Sequence, residues 1–430
     1  MFIRRSRLLV TQSQAIQLGK LSRPAGLERI RGLLPLRHLS DPEFDLITSS
    51  SQVERFAPGG TVFRSGQDDR SIFYLLTGDL QIRDSAGNTF CITGGDIESC
   101  CSLTPHNEVR CKATAVSTVE CIRLPSDLSN IHRNLVEGAT VDEITDDEQR
   151  IDNAILFEVY HSLMSGDLVL PSLPDITLRI RHTADDPETS IEDLAKIIQS
   201  DAGTSGCCIS VANSAAYGGT QSVANVREAV VRMGIQVTRD VVVAYTLRSL
   251  FVSKSSVDKN LLRTTWKHSC RFAALSYILA GDVAKLNPDR ALLAGFLHDI
   301  GILLVADALH DYPKLLKRPH VLNQLCADLS GQIGAIILRA WNFPDVFVAA
   351  TLEAEYFSKP VSDRLQRGDV VRLAHLHDQQ PPPWSHDKEE LARLPVFDKL
   401  RGQDVLADGG FAIVREADRE LAELTRLLSN

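Results

Sequence analysis

Two textures of apolar and polar positions divide the chain. Between residues 58 and 124, short apolar runs alternate with polar residues and are cut by glycines, as in SIFYLLTGDLQIRD and ATAVSTVECIRL. Alternation with period two over four to eight residues predicts half-buried strands. The segment DSAGN at 84–88 predicts a hairpin turn, because Gly87 and Asn88 tolerate positive φ. The expected product is an antiparallel β-roll or barrel.

From about Leu168 the period lengthens to that of a helix. In SIEDLAKIIQ, Ser190 and Asp193 have the spacing of a capping box, and Leu194, Ile197 and Ile198 form one apolar stripe. NVREAVVRMG repeats the device, with Asn225 as cap and Gly234 as stop. Further helices are expected over 262–280, 290–306, 330–341 and 345–357. The acidic stretch VEGATVDEITDDEQRID at 136–152 reads as connecting helix and linker, and QQPPPW at 379–384 as a break. A less regular region and an amphipathic helix, FAIVREADRELAELTRLL, follow it. The fold class is therefore multidomain α+β, with an antiparallel β module before an all-α one.

Composition narrows the function classes. At 430 residues the chain has room for two or three domains. A net charge of −9 argues against a broad nucleic-acid-binding surface, and no basic recognition helix follows the β region. No apolar run approaches the ~20 residues that span a bilayer. The start of the chain carries Arg4, Arg5, Arg7, Lys20 and Arg23 before its first acid, Glu28. That bias resembles a targeting peptide, but no apolar core and cleavage site follow, so a frayed extension is expected.

Nine cysteines occur without a C-x-x-C pair. That is neither a disulfide framework nor a zinc spacing, and reduced, mostly buried thiols in a cytoplasmic protein are expected. Five of them, Cys91, Cys100, Cys101, Cys111 and Cys121, fall in the β region. Cys111 alternates with Ala113 and Ala115, as small core-facing residues do, which favours inert thiols over a redox or iron–sulfur sensor.

The stretch GGTVFRSGQDDRSIFYLLTGDLQI, with Gly60, Gly66 and Gly78, resembles the cyclic-nucleotide-binding fold of catabolite-activator-like proteins. That resemblance implies a phosphate site built from Gly-Asp-x-x-Gly-Glu at a helix N-terminus and a later arginine. Here the segment reads GGDIESCC. Gly95 and Asp96 match, but Ser99 stands for the second glycine and Cys100 for the glutamate. Val109 takes the arginine position and Arg110 comes one residue late, which on a strand turns it to the other face unless a bulge intervenes. Glu98 is the substitute carboxylate. Ordinary cyclic-nucleotide binding is doubtful, and a degenerate sensor is expected.

LPSLPDITLRI, LAKIIQSDAGTSGCCISVANSAAYGG, VREAVVRMGIQVTRDVVV, WKHS and LLAGFLHDIGILLV, in that order, resemble the HDOD domain. This is a branch of the HD phosphohydrolase superfamily found in bacterial signalling proteins. The superfamily's metal site, His…His-Asp…Asp, maps onto His268, then His298 and Asp299, and last His375 in VVRLAHLHD, with His377 and Asp378 behind it. Other departures are Ser330 and the pair Ala354 and Glu355 where the resemblance implies histidines, and Ile302 where active enzymes often have lysine.

The expected organisation is an extension (1–35), a cyclic-nucleotide-binding-like module (36–130), a connector (131–166), an HDOD domain (167–380) and a C-terminal extension (381–430). The expected function is bacterial signal transduction, with a degenerate sensor biasing a non-catalytic HDOD output that binds a protein partner. The alternative is a metal-dependent phosphohydrolase acting on a nucleotide or cyclic dinucleotide through a divalent metal. Neither direct nucleic-acid binding nor a membrane partner is expected.

Overall fold

The computed structural model describes residues 14–17, 29–33, 51–63, 72–83, 89–95 and 112–124 of a first compact unit (1–169), with single positions at 36, 41, 44, 45, 48 and 99. In a second unit (170–430) it describes 170–219, 221–252, 259–308, 318–354, 367–378 and 418–429, with positions 315, 317, 396, 406, 407, 410 and 411. The DSAGN turn, residues 125–169 and QQPPPW lie outside the described residues.

The described residues of the first unit form eight strands: β1 (Gln14–Gln17), β2 (Gln52–Phe56), β3 (Thr61–Phe63), β4 (Ile72–Thr77), β5 (Asp79–Arg83), β6 (Thr89–Thr93), β7 (Lys112–Ala115) and β8 (Val119–Leu124). All pairings are antiparallel, in the orders β1-β2-β8-β4 and β3-β7-β5-β6. Among the described residues these are two open sheets, which corrects the expectation of a barrel. The chain changes sheets at Gly78, between β4 and β5, so the hydrogen-bond ladder is interrupted there instead of closing. Residues 14–17, in the segment expected to be frayed, form the edge strand β1.

Sheet parity explains why β4 reads as an unbroken apolar run. Phe73 and Leu75 pack with Val119 and Cys121 of β8 in the core between the sheets, together with Leu80, Ile82 and Ile92. Tyr74 and Leu76 face the other way, with Ile122 and Leu124, onto Ile30, Leu33, Leu36 and Phe44. A strand buried on both faces has no polar side to show. On β6, where Ile92 points inward, its neighbour Cys91 is exposed, contrary to the expectation of buried thiols. Cys121 is buried, and burial pushes its thiol up to about 12, as an inert core cysteine requires.

Gly78 has φ +86°, and a Cβ there would collide with the Thr118 carbonyl oxygen. Both the left-handed backbone and the missing space demand glycine. Gly78→Ala is expected to destabilise this unit by about 1–3 kcal/mol. The check is hydrogen exchange resolved by peptide: protection should fall across 72–83 and 112–124, while peptides of the helical unit keep theirs.

The second unit is helical: α1 (Asp175–Asp185), α2 (Ile191–Gln199), α3 (Ala202–Ala212), α4 (Val226–Met233), α5 (Ile235–Thr246), α6 (Lys259–Ile278), α7 (Pro288–Leu297), α8 (Ile302–Ala308), α9 (Pro319–Ala340), α10 (Asp345–Glu353), α11 (Arg367–Asp378) and α12 (Asp418–Ser429). The predicted caps form. Ser190 and Asp193 make a reciprocal capping box, and Asn225 caps α4, which stops at Gly234 with φ +81°. Helix α6 runs into a π-helical turn, Leu279–Ala284, and packs along α7. Helix α11 lies against α6, α7 and α10. The final amphipathic stretch becomes α12, which packs on α6 and α3.

Two expectations change here. The predicted single helix over 290–306 is broken: α7 ends at Leu297, residues 298–301 form turns, and α8 restarts at Ile302. Helix α9 also extends well before Ser330. It is long and apolar enough, by length and composition, to cross a membrane, and half of its apolar window is buried in this unit, where α9 packs on α8 and α10.

Candidate functional site

The break between α7 and α8 carries the His298–Asp299 pair, and glycines permit its geometry. A Cβ on Gly295 would strike Ser276 Oγ and come within 2.7 Å of the Phe272 carbonyl oxygen, so α7 sits directly on α6. A Cβ on Gly301 would collide with the Ser330 carbonyl oxygen and come within 2.7 Å of the Gly334 nitrogen. The turn therefore rests on the backbone of α9, which brings Ser330 Oγ to 3.2 Å from Asp299 Oδ1 as a donor.

His298 is the residue that ends α7, 1% exposed. Its Nδ1 lies 2.7 Å from the Gly295 carbonyl oxygen, which can only accept, so the proton is assigned to Nδ1. Its ring stacks on Phe272, with centroids 4.3 Å apart and planes 14° apart. Nε2 is buried without a hydrogen-bond partner. It lies 3.3 Å from Asp299 Oδ2, an electrostatic approach outside the geometry of a directed hydrogen bond. A lone pair on Nε2 and a carboxylate oxygen at this separation repel unless a proton or a cation lies between them.

His268, on α6, places Nε2 3.4 Å from the same Asp299 oxygen. Phe272, one turn on, touches both histidine rings and meets His375 of α11 edge-on at 5.9 Å. Burial acts to raise the Asp299 pKa, but the imidazoles of His298, then His268 and His375, favour the anion and hold it well below the usual carboxylate range.

Of the four predicted metal ligands, His268, His298 and Asp299 come together, with donor atoms all within 4.8 Å of one another. His375 meets Phe272 edge-on and acts on Asp299 electrostatically, but it does not join that close trio. The trio fits a divalent transition metal. Its donors are imidazole nitrogens and a carboxylate oxygen, the orphaned Nε2 is presented by a tautomer locked from behind, and Ser330 steadies the carboxylate. Phe272 and Gly295 escaped the reading of the sequence. The signal for Phe272 was its position four residues after His268, on the same helix face.

Helix α11 is held in place by Arg372, 3% exposed. Its guanidinium donates to Asp369 Oδ1 at 2.9 Å, to Glu353 Oε2 at 2.7 Å and to the Glu353 carbonyl oxygen at 2.9 Å. This network ties α11 to α10 one turn before His375.

Of the predicted ligand residues of the β module, only Gly95 and Ser99 are described; Asp96, Glu98, Cys100 and Arg110 lie outside the described residues. Gly95 has φ +95°, and its N–H donates to Ser99 Oγ at 2.9 Å. The turn thus spends a backbone donor on its own side chain.

Comparison with known proteins agrees with the helical unit. Residues 170–356 match the model of the HDOD domain. A candidate metal-dependent phosphohydrolase from Shewanella amazonensis SB2B is 22% identical, with TM-score 0.50, over 66% of this chain and 99% of that one. An HDOD domain protein of unknown function from Geobacter sulfurreducens is 20% identical, with TM-score 0.47, over 60% and 92%. An uncharacterised protein of Treponema pallidum is 26% identical over 193 residues, 41% of this chain, which spans 36% of that relative's length. The order of helices, the break at the His298–Asp299 pair and the family match agree, and residues 170–356 of this chain form an HDOD domain.

Proposed function

We propose that this chain is a signal-transduction protein in which the HDOD domain serves as a non-catalytic, protein-binding output, biased by the N-terminal β module. One observation carries the reading: Asp299 is the only carboxylate in the cluster among the described residues, and one of its two oxygens is already hydrogen-bonded within the protein. Oδ2 faces His268 and His298, and Oδ1 accepts from Ser330. A hydrolytic site needs a group free to take a proton from water, or open positions on a well-charged metal. A structural cation held by His268, His298 and Asp299 is compatible with a scaffold, and it would supply cross-linking of α6 to the α7–α8 turn. The β module fits a degenerate sensor, because the Gly95 N–H, which an anion site would use, is taken up by Ser99.

A second reading, a metal-dependent phosphohydrolase acting on a nucleotide or cyclic dinucleotide, is favoured by the unpartnered Nε2 of His298. One set of assays separates the two. Protein purified without added metal is analysed for Mn, Fe and Zn, then tested for turnover of nucleotides and cyclic dinucleotides. The expected result is no turnover distinguishable from that of His298→Ala, with or without bound metal. Metal-dependent hydrolysis lost in His298→Ala would establish the enzyme instead. Calorimetric titration of the full chain with cyclic AMP, cyclic GMP and cyclic di-GMP is expected to show no binding tighter than about 10 μM. Tighter binding would restore an ordinary nucleotide sensor.

A further inference from the structure

Away from the histidine cluster, the helical unit contains a cavity of about 140 Å³ on which three arginines converge. Arg181 comes from α1, Arg239 from α5 and Arg290 from the first turn of α7, and among the described residues Asp240 is the one acid that lines it. Three guanidiniums and one carboxylate leave a formal charge of 3 − 1 = +2 facing one small volume. The walls are apolar, formed in part by Leu293 and Phe347. An excess of one sign of charge between low-dielectric walls focuses the field on whatever enters.

Two of the three arginines, Arg181 and Arg239, are held in position by contacts within the protein. Arg181 donates to the carbonyl oxygens of Trp341 at 2.8 Å and Asn342 at 2.7 Å, and its guanidinium lies 4.1 Å from the centroid of the Phe343 ring. These contacts fix the plane of the group at the rim of the cavity. Arg239 donates through Nε to Asp240 Oδ1 at 2.8 Å, with both side chains largely buried. Asp289, next to Arg290, is bonded to the Tyr217 hydroxyl and does not line the cavity. A preset guanidinium loses little entropy on binding a planar or tetrahedral oxyanion.

We propose that this cavity binds a small phosphate-bearing ligand, with the phosphoryl group among Arg181, Arg239 and Arg290. A phosphate monoester carries about −1.5 to −2 at pH 7 and matches the excess, whereas a carboxylate carries only −1. A cavity of this size has room for a phosphoryl group and for further atoms of the molecule that carries it. The site is separate from the His298 cluster, although α7 carries Arg290 near its start and ends at His298.

Calorimetric titration of the full chain with inorganic phosphate, in the presence of EDTA, tests the proposal, with acetate as the carboxylate arm. Saturable phosphate binding is expected, at least about tenfold tighter than acetate and weakened about tenfold or more in Arg290→Gln. Arg290→Lys should keep part of the affinity as a point charge, and His298→Ala should keep all of it. Hydrogen exchange of the unsubstituted protein gives a readout independent of any variant: phosphate should protect peptides covering 239–243 and 290–293. Absence of saturable binding, equal affinity for acetate, loss in His298→Ala with Arg290→Gln unaffected, or protection confined to other peptides would each overturn the assignment.

Discussion

Gly301→Val is expected to lower the stability of the helical unit by about 3 kcal/mol, the upper end of what overpacking a close contact commonly costs. A Cβ at this position runs into the carbonyl oxygen of Ser330 and close to the nitrogen of Gly334, both backbone atoms of α9. No rotamer change relieves a collision with backbone, so α8 and α9 must separate. Urea unfolding followed by tryptophan emission is the measurement, because Trp266 and Trp341 are both buried in this unit. Trp266 packs against Phe251 and Phe296 with centroids 5.5 and 5.1 Å apart, so its emission reports on the α6–α7 core. Ser330→Gly should not rescue the variant, since the obstructing atom belongs to the backbone. Rescue, or an unchanged midpoint, would show that the turn is not clamped as described.

The second large effect is expected at Arg372. Arg372→Met removes the partner of Asp369, a residue only 1% exposed, and the donor to Glu353. Breaking a buried ion pair from one side costs about 3–5 kcal/mol, because the remaining charge stays out of water and has lost its paired cation. The same unfolding experiment should therefore show a loss of that order. The double variant Arg372→Met with Asp369→Leu should regain much of it, since an apolar pair of similar bulk leaves no carboxylate buried away from the lost guanidinium. A double variant no better than the single one would place the effect in the bonds to Glu353. Either loss should loosen α11 and with it the approach of His375 to Phe272.

Much of the local structure was legible along the chain because its determinants are local. Ser190 with Asp193, and Asn225 with Gly234, are helix ends written within a few residues, and the structure forms them as read. Alternation in β5 to β7 was equally direct, since period two needs only the strand itself. The order of helices around His268, His298 and Asp299 also identified the HDOD unit, and these three residues do meet.

What failed to show in the sequence depended on neighbours distant along the chain. The apolar run over 290–306 reads as one helix. Only contact with α9, 30 residues on, shows why it breaks at His298–Gly301. Among the described residues the strands form two open sheets, and between β4 and β5 Gly78 turns the chain against Thr118, a contact that no alternation pattern records. His375 occupied the right place in the order of motifs, yet it stays outside the close trio and meets Phe272 edge-on. Arg181, Arg239 and Arg290 stand on three separate helices, and only their packing gathers them around one cavity. The sequence by itself determined the elements, their caps and the family's dyad, because these depend on neighbours within a turn or a strand. The tertiary structure alone decided where helices touch closely enough to require glycine, which carboxylate oxygens are already engaged and where charge accumulates. Those outcomes follow from excluded volume and electrostatics between segments far apart in the chain.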